Sequence, residues 1–351
     1  MTFKYLILLK NLRNDSLQKL RHYLLSLIYL IFKTQKKTNP YPKQIKKILL
    51  IRRNRLGDAI NLLPIIHTIK KNYPDIEINV LANKYNAQIF EYCSAINNIY
   101  ILDEKSWLGQ NFLFINPLIW KLKKENFDLT IAVGDYSSKL AKITYFIKPK
   151  YSVGIGSGRF FFDLIYDKAV IINKDKFNSQ LSIITYLFRN AGLKLSTKLP
   201  YASLEILNTP NNRWLAICPD VSRIESQYPP KQLEEVIKKL MQKKLFKKIV
   251  IFTRSSGISY NKLARYGVKN IQAKNLHQFI KMLSKFKYVI SAEGGSAHIS
   301  GALGLFVCII SGTKNQNHWN PHAKYIKILN NSNSVKEITP NSIVDAIISF
   351  H

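Results

Sequence analysis

Acidic residues are scarce in this sequence. Its 351 residues include 21 Asp or Glu against 53 Lys or Arg, a formal net charge of +32 at pH 7. Cysteine is also rare, with only Cys93, Cys218 and Cys308. Three isolated thiols exclude a disulfide scaffold, and no Cys/His spacing typical of zinc motifs is present, so no metal site is predicted.

Long apolar runs are missing too. The longest, Leu24 to Phe32, spans nine residues, whereas a membrane-spanning helix needs roughly 20. Lysines follow this run where a signal peptide would carry small residues. Residues 1–47 contain eleven Lys or Arg and one acid, with leucines and isoleucines at helical spacing. This pattern is typical of a basic amphipathic helix on an anionic membrane surface, or of a helix packed on the protein itself.

The excess of positive charge predicts partners that carry phosphate: nucleic acid, anionic lipid headgroups or a phosphorylated glycan. Part of the excess could reflect a genome rich in Lys, Asn and Ile codons, although such a bias does not by itself make acids scarce. No nucleic-acid-binding motif is present and the basic residues are dispersed, so nucleic acid is not an expected partner.

After a linker at 39–42, short apolar runs alternate with helical stretches. Strands are predicted at 48–51, 76–81, 99–102, 129–133 and 169–172, with a helix at 59–72. A second series has strands at 215–218, 249–252, 288–291 and 306–310, with helices at 231–243, 276–285, 298–303 and 340–350. This alternation predicts two α/β units with parallel sheets. The expected domains are a basic extension at 1–47, a first domain at 48–208, a second at 209–330 and a closing helix at 331–351.

One candidate site directly follows the first predicted strand, at Arg52-Arg53-Asn54-Arg55-Leu56-Gly57-Asp58. Gly57 would permit a tight turn, and Asp58 lies where the next helix should begin. Taken alone, the segment favours Asp58 as a simple helix N-cap over a catalytic carboxylate.

A second candidate site is Glu293-Gly294-Gly295-Ser296-Ala297-His298, between a strand and a helix. Glycines there allow backbone N–H groups to approach an anion such as a pyrophosphate, although a simple glycine turn would look the same. A third, Gly312-Thr313-Lys314 with Trp319 and Pro321, reads alone as a surface loop. By contrast, the glycines at 154–158 do not match G-x-G-x-x-G, so no dinucleotide site is predicted there.

Together these three segments resemble glycosyltransferase family 9, the lipopolysaccharide heptosyltransferases. The family pattern R-x-x-x-x-G-D falls on Arg52 to Asp58, and D-[TS]-G-x-x-H falls on Glu293 to His298. The pattern G-P-T-x-x-x-x-W-x-P falls on Gly312 to Pro321, and the resemblance extends from about residue 47 to the end.

The resemblance implies a GT-B fold, in which two Rossmann-like domains with parallel sheets face each other across a cleft. The first domain would bind the acceptor, the second would bind the nucleotide sugar, and the last helix would pack back across both. It also implies inversion at the sugar carbon without a metal or other cofactor. Asp58 would be the general base. Acceptor contacts would come from Arg53, Arg55 and Gly57; donor contacts from Ser222, Arg223, Glu293, Gly294, Gly295, Ser296, His298 and Lys314.

The sequence departs from the family in its donor loops. Glu293 replaces Asp, Gly294 replaces Thr or Ser, and Thr313-Lys314 replaces Pro-Thr. Ser226 stands where the family has a phosphate-contacting Lys. We therefore expect Arg223 or Lys314 to supply the missing cation.

These expectations describe an enzyme that adds a sugar, with heptose from ADP-heptose the most specific choice, to a phosphorylated lipid A-core of lipopolysaccharide or lipooligosaccharide. It would act in the cytoplasm, peripherally on the anionic inner face of the inner membrane. Alternatives are a different nucleotide sugar, or a catalytically weak GT-B protein that serves as a membrane-associated binding or assembly factor.

Overall fold

The computed structural model describes residues 38–53, 55–102, 116–158, 161–207, 209–221, 223, 226–254, 260–312, 319–332 and 334–350. The amphipathic helix predicted before residue 38 lies outside these residues, as do Asn54, Ser222, Thr313 and Lys314. Within the described part of the chain, no helix combines the length and apolar character needed to cross a membrane.

The first half of the chain forms a six-stranded parallel sheet in the order β3-β2-β1-β4-β5-β6. Its central strand β1 is almost purely apolar, and Ile48 to Ile51 are fully buried because helices cover both faces. The strands are β1 Lys47–Ile51, β2 Glu77–Ala82, β3 Asn98–Ile101, β4 Leu129–Ala132, β5 Tyr151–Gly156 and β6 Lys168–Ile171.

Six α-helices are described in this half, and the sequence predicted helix only at 59–72. The single helix expected at 59–72 is two helices, because Pro64 has no N–H to continue the hydrogen-bond ladder and lies in the first turn of a new helix. The helices are α1 Leu56–Ile60, α2 Leu63–Asn72, α3 Lys84–Phe90, α4 Pro117–Lys124, α5 Ser138–Ile147 and α6 Gln180–Asn190.

The second half repeats the same topology. Its parallel strands run β12-β11-β10-β7-β8-β9, which reads from the other edge as the order of the first sheet. This is the strand order of Rossmann folds. The strands are β7 Asn211–Cys218, β8 Lys248–Phe252, β9 Lys269–Ile271, β10 Phe286–Ala292, β11 Phe306–Ser311 and β12 Ile326–Asn330.

Four helices of the second half are described: α7 Pro230–Gln242, α8 Leu276–Leu283, α9 Gly295–Ala302 and α10 Pro340–Ile348. Thr339 caps α10 as predicted, since its side chain accepts a hydrogen bond from the backbone N–H of Ser342 at 3.2 Å. Ile343, Val344 and Ile347 of α10 join the core of the second sheet. The expected domain boundaries, and a last helix that crosses both domains, stay predictions.

The two halves share a continuous apolar core, which includes Leu50 and Val80 from the first sheet and Val289 and Ile299 from the second half. The chain between the sheets is bonded to both sides. Leu204 N–H donates to the carbonyl of Ala302, and Glu205 N–H to that of Tyr92, each at 2.9 Å. This connection between the two sheets, called the linker below, is thus part of the packed structure.

The predicted linker near residue 40 is also anchored. Tyr41 donates from its hydroxyl to the carbonyl of Ala191 at 2.9 Å, and its ring meets Tyr151 edge-on. Gly192, at φ +81°, leaves room for this ring: a Cβ there would lie 2.3 Å from the tyrosine oxygen. The last part of the predicted basic extension, around Tyr41, is therefore held against the first half of the chain.

Candidate active site

The candidate site lies where loops from both sheets meet. In each sheet the strand order reverses beside the first strand, between β1 and β4 and between β7 and β10. Ligands of open α/β sheets bind at this point, beyond the carboxyl ends of the strands. Arg52 directly follows β1, and Glu293 directly follows β10.

Arg52 and Asp58 form an ion pair at the first of these strand ends. The two groups are 3.1 Å apart, from Nη2 to Oδ1; the arginine side chain is fully buried and the aspartate side chain is 12% exposed. Arg52 Nη1 also donates to the carbonyl of Val133 at 2.9 Å. The guanidinium is therefore held between β1 and β4, directed at the carboxylate.

The buried ion pair constrains both partners. Burial lowers the pKa of Arg52 from its ordinary value, while the negative charges of Asp58 and Asp135 raise it. Removing one member of a buried pair typically costs about 3–5 kcal/mol, because the other charge stays buried without compensation. Asp58 is the third residue of α1, whose N-cap is Arg55, so the capping interpretation of Asp58 is wrong.

The role of Arg52 was missed by the predicted site, which included its neighbours Arg53 and Arg55. Arg53 is buried, donates from Nη2 to the carbonyl of Leu102 at 3.1 Å and accepts at its own carbonyl from Asn83 at 2.7 Å. Arg55 is exposed at the start of α1. A usable signal for Arg52 was its position as the first charged residue after a buried strand.

Gly57 and His298 bring the two halves into contact. A Cβ at Gly57 would lie 2.7 Å from Cδ2 of the His298 ring. The φ of Gly57 is not positive, so the tight turn expected there is not the reason for glycine. The reason is the close approach of a ring from the other half of the chain.

His298 also connects two of the motifs within the second half. Its Nε2 lies 3.0 Å from the carbonyl oxygen of Trp319. Because a carbonyl only accepts, Nε2 carries the proton, and the buried Nδ1 has no hydrogen-bond partner. Burial lowers the pKa of His298 to about 4, against the opposing effects of Asp58 and the Trp319 carbonyl. The imidazole is therefore neutral near pH 7.

The loop before α9 differs from the family pattern at Glu293 and Gly294, and the structure shows how both residues are accommodated. Glu293 accepts a hydrogen bond from the hydroxyl of Ser311 at the end of β11, so its longer side chain is held by the neighbouring strand. Gly294 has φ +134° and ψ −156°, a conformation essentially restricted to glycine. A Cβ there would meet nothing within 4 Å, so the backbone conformation, not crowding, favours glycine.

Gly295 and Ser296 begin α9 and are half-buried. Gly295 lies close to Leu56 of α1: a Cβ there would be 3.4 Å from its Cδ1. Ser296 shares a 2.9 Å hydrogen bond with Ser291 of β10, hydroxyl to hydroxyl. The first turn of α9 is thus fixed both to its own strand and to the first half.

Arg223 is exposed, beyond the end of β7. Its neighbourhood contains a second cation that the sequence did not single out. Arg254, after β8, donates from its backbone N–H to Asp220 Oδ2 at 2.5 Å and from its side chain to the carbonyl of Val221. Arg254 therefore anchors the loop that carries Arg223.

The structure therefore brings Arg52, Gly57, Asp58 and His298 together, with Trp319 beside them, while Glu293 contacts the end of β11. Arg223 and Arg254 lie beyond the ends of β7 and β8, two neighbouring strands of the second sheet. The roles predicted for individual residues in donor and acceptor binding stay predictions.

Two Rossmann-ordered sheets whose strand-end loops meet across a cleft define the GT-B class of glycosyltransferases. The family model of glycosyltransferase family 9 (heptosyltransferase) matches residues 115–344, more than half of the chain. The chain belongs to this family.

Solved structures agree on the fold. A family 9 glycosyltransferase from Veillonella parvula superposes with a TM-score of 0.75 at 15% identity, covering 90% of this chain and 98% of that one. The E. coli ADP-heptose lps heptosyltransferase II gives a TM-score of 0.70 at 16% identity, covering 86% and 98%. A candidate glycosyltransferase of Haemophilus influenzae is 29% identical over 99 residues, and this match spans 28% of the length of either protein.

Burial of His298 should make stability depend on pH. With a folded-state pKa of about 4 and an ordinary value near 6.5, the unfolded state binds more protons between these values. The contribution of neutral His298 to the free energy of unfolding should therefore be fully present above about pH 6.5. The free energy of unfolding should fall by about 3 kcal/mol as the pH drops to about 4. Urea unfolding across this range should show a shallower pH slope for His298→Gln. Parallel slopes in the two proteins would contradict the assignment.

The contact between Gly57 and His298 predicts a coupled pair of substitutions. Gly57→Ala should destabilise the protein by about 1–3 kcal/mol, since the added methyl overlaps the ring. In Gly57→Ala/His298→Ala the ring is gone, so the double variant should be more stable than the summed single effects. Gly295→Ala is the matched control, because its methyl meets only an ordinary contact. Additive effects in urea unfolding would show that the two residues do not touch.

Proposed function

We propose that this protein transfers a sugar, with inversion and without a metal, from a nucleotide sugar to the core of lipopolysaccharide or lipooligosaccharide. The observation that carries the proposal is Asp58, paired with buried Arg52 at 3.1 Å and adjacent in the chain to Gly57, which packs on His298 of the other half. ADP-heptose is the preferred donor, supported by family membership and by the similarity of the fold to an ADP-heptose lps heptosyltransferase.

Asp58 would act as the general base. An acceptor hydroxyl attacks the anomeric carbon of the donor, its proton passes to the Asp58 carboxylate, and the bond from that carbon to the diphosphate oxygen breaks. The electron pair leaves with the diphosphate on the opposite face, so configuration inverts. Arg52 would hold the carboxylate in place through the ion pair, while neutral His298 would position the facing loop.

The diphosphate would be bound by backbone and cations. Gly294 and Gly295 open the positive end of α9, and α9 has no side-chain cap that would occupy its first N–H groups. No Asp-x-Asp motif is present in the sequence to hold a metal–diphosphate. Arg223 and Lys314 would add positive charge, with Arg254 fixing the Arg223 loop through Asp220.

The acceptor would be a phosphorylated lipid A-core at the cytoplasmic face of the inner membrane. The net charge of +32 supports this choice, since it favours both an acceptor bearing phosphate and an anionic leaflet. Residues 1–47, with eleven basic residues, would provide the peripheral contact.

Asp58→Asn should abolish transfer, by at least about 100-fold, because the amide cannot accept the proton. The assay is release of nucleotide from a panel of nucleotide sugars with a truncated core lipid as acceptor. Asp75→Asn, in an exposed turn, is the matched control and should keep full activity. Asp58→Asn should still bind the donor in a thermal-shift assay. Retained binding would distinguish loss of the base from unfolding.

Three other outcomes are informative. Full turnover by Asp58→Asn would refute its role as base. Turnover with a donor other than ADP-heptose would keep the mechanism and change the sugar. If the wild-type protein binds no donor, the alternative of a membrane-associated binding or assembly factor replaces the enzyme.

The cation proposal predicts weaker donor binding. Arg223→Ala or Lys314→Ala should raise the donor KM by about tenfold or more, because each charged contact to a diphosphate is worth about 1.5–3 kcal/mol. Arg213→Ala removes the same charge from an exposed residue at the opposite end of β7, and should leave KM unchanged. Unchanged KM in both donor-loop variants would assign diphosphate binding to α9 alone.

A further inference from the structure

Three side chains with metal-binding atoms meet away from the proposed transfer site. His67 lies in α2, Cys93 follows α3, and Glu205 belongs to the linker between the two sheets. One ligand atom from each lies within 4.8 Å of the others. They are distant in sequence, so no spacing motif could reveal them.

The distances suit a small tetrahedral ion. Bond lengths of about 2.3 Å to sulfur and 2.0–2.1 Å to nitrogen imply a sulfur–nitrogen separation of about 3.6 Å across a tetrahedral zinc. The observed distance from Cys93 Sγ to His67 Nε2 is 3.8 Å. Only a small adjustment of these two side chains would bring both into coordination range.

The polypeptide backbone holds the three residues in place. Glu205 accepts from the backbone N–H of Ser94 at 2.8 Å, and its own N–H donates to the carbonyl of Tyr92 at 2.9 Å. Glu205 is therefore bonded to both residues that flank Cys93. His67 is partly buried, Cys93 is buried and Glu205 is exposed. One side of the cluster is therefore open to solvent.

We propose that His67, Cys93 and Glu205 bind one Zn²⁺, with a water molecule in the fourth position. Imidazole, thiolate and carboxylate are the three ligand types that zinc takes in proteins. The ion would join α2, the turn after α3 and the linker, and so would fasten the linker to the first half. Its role would be structural.

Binding requires a balanced exchange of protons. Zinc binds the thiolate of Cys93 and the neutral imidazole of His67, so the thiol must lose its proton. The sulfur–hydrogen bond breaks, the sulfur–zinc bond forms, and one proton passes to solvent for each ion bound.

The neighbouring contacts show what such an ion would stabilise. Next to Cys93, Glu91 pairs with His277 of α8 at 2.9 Å, and Tyr92 hydroxyl lies 3.2 Å from the other ring nitrogen of the same histidine. These contacts join the first half to the second. An ion at Cys93 would therefore stabilise the adjacent residues, Glu91 and Tyr92, that connect the first half to the second.

Titration of the untagged, metal-free full chain with Co²⁺ and Zn²⁺ tests this site. Co²⁺ should bind with one-to-one stoichiometry and give thiolate-to-cobalt charge-transfer absorption, which Zn²⁺ should remove. Saturating Zn²⁺ should raise Tm by about 3 °C. Each of Cys93→Ser, His67→Gln and Glu205→Gln should weaken binding by at least about tenfold, and Cys93→Ser should abolish the charge-transfer band.

His277→Gln is the matched control, because it removes a nearby half-buried histidine that could bind metal with Glu91. It should leave the affinity and the cobalt spectrum unchanged. Glu205 is exposed, so Glu205→Gln keeps the test valid if the two more buried variants fold poorly. Absence of the charge-transfer band in the wild-type protein, equal affinity in Glu205→Gln, or loss of binding in His277→Gln would each overturn the proposal.

Discussion

The packing of His298 on Gly57 is the constraint on which the candidate site depends. The ring occupies the space where any other residue at 57 would place its Cβ, and its Nε2 proton is bonded to the Trp319 carbonyl. One imidazole therefore contacts all three segments that the sequence singles out. Because close-packed groups have few alternative arrangements, this contact sets how the loop of Asp58 meets the loop of α9.

Two buried basic side chains near this contact differ in their charge. Arg52 is buried as a cation and is compensated by Asp58, while His298 is buried and loses its charge. A neutral imidazole beside the ion pair avoids a second positive charge near the carboxylate. The Asp58 side chain, paired with Arg52, is still 12% exposed to solvent, as its proposed role as general base toward an acceptor hydroxyl would require.

The departures from the family pattern have structural partners in this chain. Glu293 reaches the Ser311 hydroxyl, and Gly294 adopts a backbone conformation that serine or threonine would adopt only with strain. Arg254 secures the loop of Arg223. The loop before α9 is thus packed around the residues that this chain has there.

The sequence alone determined the class of fold and the positions of the motifs. Uninterrupted apolar runs such as 48–51 predict strands buried on both faces, and Thr339-Pro340 predicts the start of the last helix. It missed β5, which contains two glycines, and the short or partly exposed β9 and β12, because local signals are weak there. Only the tertiary structure decided why residue 57 is glycine, why Arg52 matters, and that His67, Cys93 and Glu205 meet. The physical reason is that Gly57 meets His298, Arg52 meets the carbonyl of Val133, and the three-residue cluster forms only when segments distant in the chain pack together, which neither periodicity nor spacing encodes.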